Sequence, residues 1–197
     1  MPSVQTMVSR KSSITNAFVA AIIPVIPPSE EEIAEALRIL GMSTGNVCCA
    51  YCGDRASEWD HLRPLVRNRR PTGFISEIAN LVPSCGKCNQ SKGNKHWLTW
   101  MTSAAPHSPK TRGITDFTRR IERLHAYEKW RHVHPIDFER IVGKNCWEKY
   151  WHSCEQAIQA LKDAQVFADE LRQRIAAAHV LLTDSRRSVN AAVGTTT

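Results

Sequence analysis

The stretch Glu58-Trp59-Asp60-His61-Leu62-Arg63-Pro64-Leu65 lies between two cysteine pairs, Cys49-Ala50-Tyr51-Cys52 and Cys85-Gly86-Lys87-Cys88, and its reading decides the fold. The chain has 7 cysteines, an odd number that cannot all pair internally, and four of them form these Cys-x2-Cys knuckles. Four thiolates at that spacing suit a tetrahedral Zn²⁺ closed to water, a structural site, better than a disulfide framework. A reducing, cytoplasmic compartment is implied. Cys48 adjoins the first knuckle and is an alternative to Cys49, although the spacing favours Cys49. Cys146 and Cys154 lack ligand spacing and read as buried free thiols.

Outward from the knuckles, strands are expected near Trp59 to Leu62 and Leu81 to Val82. Ser84 is a plausible N-cap for a helix beginning at Cys85, which places Asn89 about one turn in. The order is then β, loop, β, α. The Asp60 carboxylate, the Asn89 amide oxygen and water would make a hard oxygen site of the kind Mg²⁺ prefers, distinct from the zinc site.

Asp60-His61, Asn80, Cys88-Asn89 and the lysines Lys92 and Lys95 together resemble the HNH endonucleases of the ββα-metal (His-Me finger) group, in the subgroup braced by four zinc-binding cysteines. The resemblance runs from Cys49 to Lys95, about a quarter of the chain. It implies that His61 is the general base acting on water and that Asp60 and Asn89 hold a catalytic Mg²⁺ or Mn²⁺. It also implies that Asn80 fixes the loop and helps orient the histidine. Hydrolysis of DNA phosphodiesters to 5′-phosphate and 3′-hydroxyl ends would follow. An imidazole titrating near neutrality suits the base role. The third motif position is Asn89 where some members have histidine, and both types occur in the family.

Charge is distributed unevenly. The net charge of the 197 residues is +7, and residues 48–131 hold 15 basic and 7 acidic side chains while both flanks are near neutral. A polyanionic partner, here double-stranded DNA, fits that excess. Arg63, Arg67, Arg69 and Arg70 repel one another unless an anion is present, so they are read as DNA contacts. Lys92 and Lys95 fit either phosphate contacts or a solvated helix face. Hydrophobic residues at 42% and charged residues at 23% exclude a disordered chain and a membrane protein. The apolar run Ala17 to Ile26 is interrupted by Pro24, is too short to span a bilayer, and is expected to pack on the core.

The flanks read as helical. Ser29 and Glu32 form a capping box ahead of Ile33, Leu37 and Leu40, with a stop at Gly41. Phe117, Ile121 and Leu124 make an apolar stripe on a helix from Asp116 to about Arg131, with Arg119, Arg120 and Arg123 forming a basic outer face. Another helix is expected from Pro135 to Gly143, and Trp97, Trp100 and Met101 have core spacing. A last helix from about Ser153 to Leu182 carries Leu161, Ala164, Ala168, Leu171, Ile175, Ala178 and Leu182 as a heptad seam that needs a partner. The fold class is mainly α with a small ββα-metal finger, α+β. The expected divisions are 1–47, an N-terminal helical and extended segment; 48–101, the zinc-braced finger; 102–187, helical scaffold, DNA-contact and dimer elements; and 188–197, a flexible tail. A restriction-type homodimer cutting both strands is the expected form, since one finger cuts one strand. A nonspecific, homing or phage nuclease and a non-catalytic zinc-dependent DNA-binding protein are the alternatives.

Overall fold

The computed structural model describes residues 4–193, with side chains described as far as 183. Seven α-helices and four short strands are present among them: α1 (Lys11–Ile22), α2 (Glu30–Ile39), β1 (Glu58–His61), β2 (Val66–Arg67), β3 (Arg70–Pro71), β4 (Leu81–Ser84), α3 (Gly86–Lys92), α4 (Trp97–Met101), α5 (Phe117–Trp130), α6 (Phe138–Val142) and α7 (Lys144–Val193). This is a mainly helical α+β fold. The chain divides into two compact units, Thr15–Trp147 and a second made of residues before Thr15 together with α7 from Glu148 onward.

The first unit is organised around one antiparallel pair. β1 and β4 align Glu58 with Ser84, Asp60 with Val82 and His61 with Leu81. Alternation along β1 turns Asp60 inward while Trp59 on the opposite face is 42% exposed. Between the two strands, β2 and β3 form a tight hairpin with Arg67 opposite Arg70. Its two tip residues, Asn68 at φ 51° and Arg69 at φ 63°, both occupy the left-handed region, as a type I′ turn requires.

Behind the pair, Tyr51, Leu62, Ile78, Val82, Trp97, Trp100, Met101, Leu124 and Tyr127 form one apolar cluster with Ala36 and Leu40 of the α2 region. Trp97, Trp100 and Met101 are fully buried, as their spacing predicts. The Tyr127 hydroxyl donates to the carbonyls of Ile78 and Leu81, so α5 is tied to the turn leading into β4. At α2 the capping box is present, with Ser29 Oγ accepting from Glu32 N and Glu32 Oε2 accepting from Ser29 N at 2.9 Å. Gly41 then ends that segment at φ +73°, where an added Cβ would lie 2.3 Å from the Arg123 guanidinium.

Several boundaries depart from expectation. α3 starts at Gly86 with Cys85 as its N-cap, because pairing with Glu58 keeps Ser84 in strand conformation. α6 starts at Phe138, where Asp137 Oδ1 accepts from Arg140 N at 3.0 Å. Gly143 separates it from α7, which begins at Lys144 and so takes in Trp147, Tyr150 and Trp151. Residues 188–193 of the expected tail continue α7, and 194–197 lie outside the described residues. The basic outer face of α5 reduces to Arg119. Arg123 packs on Gly41, and Arg120 reaches the carbonyl of Cys49 at 3.0 Å. Cys146 is exposed, while Cys154 is buried. In the N-terminal run Val19 and Ile23 are buried but Val25 and Ile26 are exposed.

In the second unit, α7 displays Val166, Phe167, Leu171, Ile175, Val180, Leu181 and Leu182 on its exposed surface. Among the described residues no helix is long and apolar enough to cross a membrane.

Candidate active site

The two knuckles close on one another. The Sγ atoms of Cys49, Cys52, Cys85 and Cys88 all lie within 4.8 Å of each other and all four residues are buried. Cys48 is outside the group, its backbone paired with Arg55. Sulfurs bound at about 2.3 Å around a tetrahedral ion are about 3.8 Å apart, and Cys52 Sγ and Cys85 Sγ are separated by 3.7 Å. The cluster therefore fits zinc. Hydrogen bonds from Cys52 and Cys88 hold the Cys49 thiol down at about 3, and hydrogen bonds to Cys49 and Cys52 push the Cys88 thiol far above its ordinary value. Four thiolates can coexist here only around a cation. Two arginines absent from the expected ligand set reinforce the knuckles. Arg112 donates to Cys88 Sγ at 3.8 Å and pairs with Asp54 at 2.8 Å, and Arg120 binds the Cys49 carbonyl.

Asp60 is the inward-facing residue of β1. It is 5% exposed, and its Oδ2 accepts the Tyr51 hydroxyl at 2.6 Å. Tyr51 stands between the two cysteines of the first knuckle, so the zinc cluster and the Asp60 carboxylate share one rigid connection. Burial first, and the charge of Asp60 second, push the Tyr51 phenol well above its ordinary range, which keeps it a donor.

Lys92 completes the Asp60 environment. Its Nζ lies 3.0 Å from Asp60 Oδ2 and 3.2 Å from Oδ1, and donates to the His61 carbonyl at 2.8 Å. In place of either a phosphate contact or a solvated helix face, Lys92 makes an internal ion pair. Lys92 follows Cys88 by four positions, which puts both on the inward face of α3, and it is 1% exposed. Burial raises the Asp60 carboxyl and lowers the Lys92 ammonium, while the attraction between them works against both shifts.

The His61 ring is half-buried at the end of β1, with Nε2 2.7 Å from Ser76 Oγ. Burial, and then the nearby Lys92 charge, hold its imidazole at about 4. Asn80 is fully buried, and its hydrogen bonds go to backbone groups and not to the ring. Its Oδ1 accepts from Arg63 N at 2.8 Å, and its Nδ2 donates to the carbonyls of Arg63 at 3.2 Å and Ile75 at 3.1 Å. It thereby ties the chain just after His61 to the chain just before Ser76.

A cleft of about 300 Å³ brings Asp60, His61, Asn89 and Lys92 together, walled by Val66 from the hairpin root and by Asn16 and Val19 from α1. Arg67, Arg69 and Arg70 lie exposed at the hairpin tip. Arg63 does not join them, because its guanidinium donates to the Glu128 carbonyl at 2.9 Å and lies over the Phe74 ring. Lys95 is exposed, its ammonium 2.9 Å from the Ser91 carbonyl near the end of α3. Tyr51, Ser76 and Arg112 escaped the sequence reading. Only the position of Tyr51 inside a knuckle hinted at its importance.

Residues 49–95, about a quarter of the chain, match the family described as HNH endonuclease. Among curated proteins, the chain is similar to the CRISPR-associated endonuclease Cas9 of Corynebacterium diphtheriae, at 27% identity over 150 residues. That similarity takes in 73% of this chain but only 13% of the relative, so it extends well beyond the finger. No solved structure matches.

Proposed function

We propose that the protein is a metal-dependent DNA endonuclease whose chemistry resides in the cleft beside the thiolate cluster. The observation that carries this reading is the convergence of Asp60, His61 and Asn89 on one cleft, within the segment that matches the HNH family. In it, 48–101 is the catalytic module, 102–187 supplies scaffold and contacts, and the working compartment is reducing and cytoplasmic.

Asp60 and Asn89 offer oxygen donors in the same cleft, and Asp60 already holds a cation, the Lys92 ammonium. That donor set fits Mg²⁺ or Mn²⁺, which when bound would offset charge on the scissile phosphate and the departing 3′ oxygen. Lys92 neutralises Asp60 and anchors the end of β1 through the His61 carbonyl. His61, neutral across physiological pH, accepts the proton of the attacking water, leaving a 5′-phosphate and a 3′-hydroxyl. Asn80 keeps the two segments around His61 in register. Arg67, Arg69, Arg70 and Lys95 provide cationic head groups for the DNA backbone.

The finer form of the proposal is a restriction-type homodimer cutting both strands, supported by the exposed Leu171, Ile175 and Leu182 of the α7 seam. A second reading is a module that cuts one strand and receives its target from elsewhere. It is favoured by the similarity to Cas9 reaching far outside the finger.

Supercoiled plasmid incubated with millimolar Mg²⁺ or Mn²⁺ tests both. Cleavage that disappears in His61→Ala while DNA binding persists is expected, and intact plasmid with bound wild-type protein would sink the nuclease reading. Linear product from a dimeric species in light scattering supports the homodimer. Nicked circles from a monomer support the second reading.

A further inference from the structure

The ring of His61 has two nitrogens, and only the neutral nitrogen without hydrogen can take a proton. Nε2 is 2.7 Å from Ser76 Oγ, and Nδ1 has no hydrogen-bond partner among the described residues. If Nε2–H donates to Ser76, Nδ1 keeps its lone pair and the ring can act on water. If Ser76 instead donates to Nε2, the ring's one lone pair is engaged and Nδ1 carries the hydrogen. The direction of the hydrogen bond between Ser76 and His61 is therefore coupled to which tautomer is present.

Ser76 is itself held by an element with no place in the finger motif. Its backbone N donates to the Pro24 carbonyl at 3.1 Å, and its carbonyl accepts from Ile26 N at 2.8 Å, forming an isolated parallel bridge between Val25 and Ser76. Pro24, Pro27 and Pro28 bracket this segment and bias it to extended backbone, which frees its remaining amide and carbonyl groups for pairing. On the other side, Asn80 Nδ2 holds the Ile75 carbonyl. Val25 and Ile26 are 71% and 50% exposed, so burial of their side chains does not explain the attachment.

We propose that Ser76, clamped by the Pro24–Ile26 strap, is the positioning residue of His61: it accepts the Nε2 hydrogen and leaves Nδ1 as the proton-accepting atom. The inference rests on the nuclease reading of the cleft. It assigns the N-terminal segment a part in catalysis, as the outer support of the general base.

The test combines ring nitrogen chemical shifts of ¹⁵N-histidine-labelled protein with plasmid cleavage. Wild type should show the Nε2–H tautomer at His61. Ser76→Ala should lose that single-tautomer signature and lower kcat by roughly 10- to 100-fold with KM for DNA unchanged. Ser76→Thr, which retains the hydroxyl, should restore both. An Nδ1–H tautomer in wild type, a Ser76→Ala variant as fast as wild type, or a Ser76→Thr variant as slow as Ser76→Ala would each overturn the proposal. A wild-type protein that shows the Nε2–H tautomer but cuts no DNA would instead remove the nuclease reading and leave the geometry standing.

Discussion

His61 is the residue at which burial and the proposed role of general base pull against each other. A histidine in the unfolded chain titrates at about 6.5, whereas burial and the Lys92 charge hold the folded one at about 4. As pH falls, the unfolded state therefore takes up its proton first. Stability attributable to His61 is complete above about pH 6.5 and declines from there down to about pH 4. Urea unfolding at pH 7 and pH 5 measures it. Wild type should lose roughly 2 kcal/mol more than His61→Gln over that interval, and equal losses would show that the ring does not titrate on unfolding. Asp60 illustrates the complementary arrangement. Its two oxygens are occupied by Tyr51 and Lys92, so a carboxylate deep in the protein is matched by a hydroxyl and an ammonium instead of by water.

At the scale of elements, the β2–β3 hairpin presents positive charge and the knuckles provide rigidity. Three arginines at one exposed tip should act on DNA chiefly through counterion release. Replacing Arg67, Arg69 and Arg70 by alanine should flatten the slope of log K against log salt by up to about 3, without altering zinc content. An unchanged slope would place the DNA elsewhere. The knuckles, the Asp-His pair and the helix after Cys85 were legible because metal ligation and helical packing impose fixed spacings on the chain. The capping box at Ser29 and the buried Trp97, Trp100 and Met101 were legible for the same reason. Lys92 and Arg63 were not, since a long side chain can turn inward or outward from the same backbone. Their directions are set by Asp60 and Glu128, which are distant in the chain. Ser76 was invisible because its role comes from the strap, about fifty positions earlier. The start of α7 at Lys144 lies ahead of the expected Ser153 because the heptad seam begins only at Leu161 and says nothing of the turns before it.

For the whole molecule, the excess of positive charge in residues 48–131 resolves into different uses. Arg112 and Arg120 brace the knuckles, Arg63 and Arg123 pack against neighbouring segments, and the hairpin arginines and Lys95 remain at the surface. The thiolate cluster and the site proposed at Asp60 and Asn89 would also differ in what they demand of folding. Four thiolates need their ion for the knuckles to close, whereas Asp60 has a cation built into the chain. Thermal unfolding should therefore shift little between millimolar Mg²⁺ and its absence, and fall steeply once a strong zinc chelator is added. A melting temperature that follows Mg²⁺ would contradict this. Under the proposed function, the Lys92 ammonium would separate assembly from readiness: the protein would fold and bind first, and a metal ion competing with that side chain for Asp60 would start the reaction later.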